Sequence, residues 1–141
     1  MSQYKTIVAG HGMFANGFEG AIKLLAGKQL NMKFIDFKES MSETDLRDEF
    51  LKSINDEEPV LFFTDLIGGT PYKEAAKIAY KYDNVKVVSG CNLASLLETT
   101  FNTYDSLDDY AKDLIKVTKN SVELFTLDDE PTEDDDFSDG I

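Results

Sequence analysis

Four short apolar runs, Tyr4 to Ala9, Met32 to Phe37, Pro59 to Asp65 and Val85 to Ser89, recur along the chain with an amphipathic stretch between each pair. In the first and third of them successive residues are apolar: Ile7, Val8 and Ala9, then Val60, Leu61, Phe62 and Phe63. A strand of that kind must be covered on both faces, and strands alternating with helices are how a parallel sheet is covered. The expected fold is therefore α/β, an open, mainly parallel, doubly wound sheet with four parallel strands.

The stretches between the runs carry helical spacing. Phe14, Phe18, Ile22 and Leu25 share one face of a first helix, although the turn-type dipeptide Asn16-Gly17 points to a delayed start with Asn16 as cap, and Gly27 closes it. Leu46, Phe50 and Ile54 line a second helix over Ser42 to Ile54. Thr70 is expected to cap a third, Pro71 to Tyr82, with Pro71 at its first position and Ala75, Ala76 and Ala79 letting it lie close to the sheet. Asn92 caps a fourth helix with Leu93, Leu96, Leu97 and Thr100 inward, and Leu107 to Asn120 is a fifth.

Ser121 to Leu127 is strand-like in composition but follows two helices, so it must find an edge to pair with, in its own sheet or a neighbour's. The expectation is a fifth, antiparallel edge strand exchanged between the protomers of a homodimer.

With 141 residues, the chain is of one-domain length. The ordered domain is expected over 1–127. Beyond it, 128–141 holds eight acids and no base, a composition that repels itself into a disordered tail. The whole chain carries −13, of which −5 belongs to the domain, and this argues against nucleic acid or anionic lipid as partners. Cys91 is the only cysteine and His11 the only histidine, so neither a disulfide within the chain nor a Cys/His metal centre is expected, and no cofactor. The opening residues lack a signal-peptide layout and no apolar run is long enough to cross a bilayer, so a cytoplasmic protein without membrane insertion is expected.

The first strand ends in Gly10-His11-Gly12. Ligands of open parallel sheets bind beyond the carboxyl ends of the strands, where strand order reverses, and the third strand is the expected neighbour of the first at that point. His11 and Asp65 would then meet on adjacent strand ends. A carboxylate accepting one ring N–H leaves the other imidazole nitrogen free as a nucleophile. Gly68-Gly69-Thr70-Pro71 lets backbone approach closely and points the amino end of the third helix at an anion, a suitable setting for a phosphoryl group. Taken singly, each feature has an ordinary explanation: a solvated histidine, a turn-capping aspartate, a tight connection. Their convergence on one crevice favours chemistry. Cys91, with no adjacent base, reads as a structural thiol.

At these residues the chain resembles the mannose family of enzyme IIA components of the bacterial phosphotransferase system. The similarity spans about 4–127 and rests on Ile7-Val-Ala-Gly-His-Gly12, Ile35-Asp36-Phe37, Thr64-Asp65-Leu66 with Gly68-Gly69-Thr70-Pro71, and Val88-Ser-Gly-Cys-Asn-Leu93 leading into Leu96-Leu97-Glu98. The resemblance implies that His11 accepts a phosphoryl group from phospho-HPr and passes it to enzyme IIB for sugar uptake. It implies Asp65 as the histidine's partner, Gly69 and Thr70 as phosphoryl-binding residues, an exchanged last strand over Val122 to Leu127, and a subunit separate from IIB. Tyr72-Lys73 and Ala94 depart from the Phe-Asn and proline of many relatives, which bears on partner choice. Two other readings use the same residues: the phosphocarrier subunit of a dihydroxyacetone kinase system, and a flavodoxin-like binding or regulatory module in which His11 only contacts a ligand.

Overall fold

Every residue of β3 (Val60–Thr64) is buried, because the strand lies inside the sheet with helices on both faces. The computed structural model, which describes residues 4–127, places β3 between β1 (Lys5–His11) and β4 (Val85–Ser89), with β2 (Met32–Phe37) on the far side of β1. All three pairings are parallel. The order β2-β1-β3-β4 means that the chain leaves β1 to one side for β2 and returns to its other side for β3, which puts the reversal of strand order between β1 and β3.

The two-residue period of the strands sorts their side chains onto two cores. Ile7, Ala9, Val60 and Phe62 pack beneath α2 (Glu43–Lys52) and α3 (Thr70–Lys81), joined by Leu46, Phe50, Ala75 and Ile78. Val8, Leu61 and Phe63 face the other way, against α1 (Phe14–Ala26), α4 (Leu93–Thr100) and α5 (Leu107–Asn120). Each of the large side chains held there stabilises the fold by about 1.5–3 kcal/mol relative to exposure. On the first face the Phe50 and Phe62 rings tilt together at 4.8 Å. There too Glu74 of α3 is buried and takes Arg47 Nε of α2 at 2.6 Å on Oε1 and Lys77 Nζ at 2.9 Å on Oε2, so one carboxylate ties the two helices together.

The amino ends of the helices fall into two groups. Ser42, Asn92 and Ser106 cap α2, α4 and α5, each side chain accepting the backbone N–H three residues on, and Ser42 completes a capping box with Asp45. Nothing of the kind serves α1 or α3. The N-cap of α1 is Met13, not the expected Asn16, because Asp36 of β2 accepts the Asn16 N–H at 3.0 Å and lets the helix start ahead of the Asn-Gly pair. The N-cap of α3 is Gly69 rather than Thr70, which is the first residue inside the helix, with Pro71 second.

The expected fifth strand is not part of the single chain's sheet, which has four strands among the described residues. Residues 122–127 add no strand and leave Val122, Leu124, Phe125 and Leu127 exposed. The acidic run expected to form a tail lies outside the described residues.

Candidate functional site

β1 stays paired to β2 through His11, two residues past its last pair with β3. The histidine therefore stands above the end of β3, where Asp65 follows directly. Asp65 donates its own N–H to Ala9 O at 3.2 Å, which anchors it to β1, and its Oδ2 accepts twice from His11: the backbone N–H at 2.9 Å and ring Nδ1 at 2.8 Å. A carboxylate only accepts, so Nδ1 carries the proton and Nε2 is left with its lone pair. The imidazole is 45% exposed and the aspartate 13%, an accessible nucleophile on a sheltered partner. Asp65 Oδ1 is buried and has no hydrogen-bond partner among the described residues.

The period of β1 puts His11 on the face of Ile7 and Ala9, the side of α3. There the loop after Asp65 turns back through Gly68, whose φ of +79° is in the left-handed region that glycine adopts freely, and delivers Gly69 against the ring. A Cβ on Gly69 would lie 2.8 Å from His11 Cε1, 3.3 Å from Leu66 O and 3.5 Å from Nε2, so a side chain there would push the imidazole off the position in which Asp65 holds it. The Gly69 N–H is already given to Leu66 O at 3.1 Å. Its service is close approach, while Thr70 and Tyr72 carry the first-turn N–H groups that no described carbonyl takes up, Pro71 having none. The Thr70 hydroxyl makes no hydrogen bond among the described residues. With no acid in its first turn and no side-chain cap, the amino end of α3 is open to an anion beside Nε2.

Of the four residues singled out from the sequence, His11, Asp65 and Gly69 meet in space, and Thr70 follows Gly69 as the first residue of α3. Two others belong with them. Phe37 of β2 sets its ring edge-on to the imidazole at 5.9 Å, and its carbonyl accepts the Gly12 N–H at 2.9 Å. Asp36 closes α1 behind the histidine. The sequence signal for both was the Ile35-Asp36-Phe37 run at the end of a strand beside the first. Cys91 donates its N–H to Thr64 O at 2.8 Å and is buried near Asp65; burial first, and the Asp65 charge second, push its thiol up, which keeps it protonated and inert.

Chemically, the arrangement offers a nucleophilic nitrogen with a fixed tautomer, a counter-charge for the cation that forms when that nitrogen is used, and backbone dipoles aimed at an anion next to it. Comparison with known proteins gives a consistent result. A family model described as EIIA-man, PTS system fructose IIA component, matches residues 5–118. The fructose-specific EIIA component of Bacillus subtilis (strain 168) is 28% identical over 122 residues, which cover 84% of either chain. The sorbose-specific EIIA component of Lacticaseibacillus casei is 31% identical over 114 residues, covering 79% of this chain and 83% of that one. Among solved structures, the phosphotransferase system component EIIA of Streptococcus agalactiae superposes with a TM-score of 0.80 at 30% identity, covering 89% of this chain and 98% of its own.

Proposed function

The chain belongs to the EIIA-man family of IIA components of the sugar phosphotransferase system, and on that premise we propose that His11 carries a phosphoryl group between two cytoplasmic proteins. Nε2 attacks the phosphorus of phosphohistidine on HPr. The donor's N–P bond breaks, its electron pair stays with the donor ring, and a new N–P bond forms at His11. Nδ1 keeps its proton throughout, given to Asp65, and the phosphoryl oxygens turn to Thr70 and the first-turn amides of α3. The reverse sequence delivers the group to IIB. The transfer needs little beyond placement and charge stabilisation, so no metal is called for. The observation that carries the reading is the 2.8 Å bond from His11 Nδ1 to Asp65, which leaves Nε2 free at the amino end of α3.

Incubation with phosphoenolpyruvate, enzyme I and HPr tests it. We expect an acid-labile mass gain of one phosphoryl group, absent in His11→Ala and discharged on adding a IIB protein. An unlabelled wild type, or a labelled His11→Ala, overturns the reading.

We further propose a homodimer in which residues 122–127 of each chain pair with the β4 edge of the other. Two features support it. β4 is an edge of the sheet, with a groove of about 530 Å³ beside it lined by Ala79, Val87 and Ile115 together with the charged Lys86, Asp108 and Lys112. Val122, Leu124 and Leu127 are exposed apolar side chains. Light scattering should give twice the monomer mass for the full chain and the monomer mass for a chain ending at Ser121. Equal masses would exclude the exchange.

A further inference from the structure

The turn that carries the histidine, His11-Gly12-Met13, is held at both sides by β2 as well as by Asp65. At Gly12, whose φ is +61°, the N–H donates to Phe37 O, and one turn further on the Asn16 N–H donates to Asp36 Oδ1. Among the described residues, the helix that follows has no other side-chain provision for its amino end. Met13, the N-cap, has no polar side chain, and its φ of −99° and ψ of 21° are not the extended backbone in which a cap residue reaches forward. The first turn of α1 also contains no acid. One carboxylate, from a strand 20 residues away in sequence, therefore supplies the cap and the negative charge that this helix end lacks.

We propose that Asp36 is a positioning residue for phosphoryl transfer: by closing the amino end of α1 it ties the His11 turn to β2 and holds the imidazole in line with the amino end of α3. Two carboxylates then clamp the turn from opposite sides. Asp65 fixes the ring and the N–H of His11, and Asp36 fixes the helix that the turn leads into. Loss of Asp36 frees the carboxyl side of the turn while leaving the His11–Asp65 pair in place, so the ring keeps its tautomer but loses its aim. In-line transfer is sensitive to displacements well below the size of a side chain. The inference rests on the reading of His11 as phosphoryl acceptor.

The test compares Asp36→Ala, Asp36→Asn and Asn92→Ala with wild type in the HPr-dependent labelling of His11, alongside thermal unfolding and ring ¹⁵N spectra of His11. Asp36→Ala is expected to slow labelling about tenfold or more at saturating phospho-HPr, with little change in the half-saturating concentration and with the Nδ1-protonated ¹⁵N pattern retained. In Asp36→Asn the side-chain oxygen still accepts from Asn16, and most of the rate should return. Asn92→Ala removes the cap that α4 makes with the Ser95 N–H and should lower stability without slowing transfer. If Asp36→Ala does not fold, Asn16→Pro removes the same bond from the donor side within the first helical turn, where proline is tolerated, and is expected to slow transfer likewise. The proposal is overturned if wild type is labelled and Asp36→Ala or Asn16→Pro is labelled as fast, if Asp36→Asn is as slow as Asp36→Ala, or if Asn92→Ala slows transfer as much. A wild type that takes no label condemns the acceptor reading instead. The ¹⁵N spectra and unfolding curves then still report whether Asp36 holds the turn: a His11 ring spectrum that Asp36→Ala leaves identical to wild type in line width and shift overturns the positioning role on its own.

Discussion

The two helices whose amino ends flank His11 solve the same problem in opposite ways. α1 receives a carboxylate from β2, so its end is filled from within the protein; α3 starts at a glycine, has no acid in its first turn, and keeps its end open. Elsewhere, α2, α4 and α5 each bring a serine or asparagine of their own. Unfilled helix ends cost stability, so on the proposed function the end left open beside His11 is the place where the phosphoryl group completes the structure. The difference also explains direction: an anion approaching His11 meets a charge of its own sign at α1 and free dipoles at α3.

The contrast is broken most severely by filling the α3 side. Gly69→Ala has a permitted backbone (φ −74°, ψ 168°) but places its Cβ 2.8 Å from the imidazole, so we expect His11 labelling to fall about 100-fold or more with unfolding little changed. A labelling rate near wild type would mean that the ring does not rest where the geometry puts it. Next comes Asp65→Asn, which can still face Nδ1 but no longer carries the counter-charge. A loss of about 10- to 100-fold is expected, read by quench-flow labelling, and an unchanged rate would detach the aspartate from the chemistry. Thr70→Val separates a hydrogen-bond donor to the phosphoryl group from a helix cap. Since Thr70 lies inside α3, the rate should drop by about tenfold, the worth of one hydrogen bond to a charged group, whereas a drop in melting temperature instead would restore Thr70 to a capping role. The smallest effect belongs to the self-capped group: Ser42→Ala should cost about 1 kcal/mol of stability in denaturant unfolding and leave transfer untouched.

How far the sequence reveals this depends on the range of the interaction. The strands were legible because Ile7 to Ala9 and Val60 to Phe63 admit no exposed face, and the rule for open parallel sheets named the third strand as the neighbour of the first, which brought His11 and Asp65 together. The cap that Asn92 makes with Ser95 in its own first turn was equally legible. The start of α1 was not, since Asp36 acts from another strand and a local rule sees only Asn16-Gly17. Thr70 was mistaken for a cap because the residue type suits one, yet the close packing of Gly69 on His11 moves the helix start back by one position. Val122 to Leu127 has strand composition, but composition does not name the edge it would join, and the single chain's sheet leaves it out.

Glu74 was also invisible from the sequence, and its clamp gives the fold a dependence on acidity. The carboxyl is 1% exposed; burial pushes its pKa up, but the bonds from Arg47 and Lys77 outweigh that and hold it below the ordinary glutamate value of 4.5. A group whose affinity for protons falls on folding favours the folded state wherever the unfolded chain would already be ionised, and withdraws that favour as pH drops through the lowered value. The union of α2 with α3 is thus complete at neutral pH and loosens in acid, where Glu74 takes up a proton and Arg47 and Lys77 lose their shared anion. Glu74→Gln, uncharged at every pH, should lower stability at neutral pH and flatten the acid side of the stability curve, so that the two proteins converge as the solution is acidified.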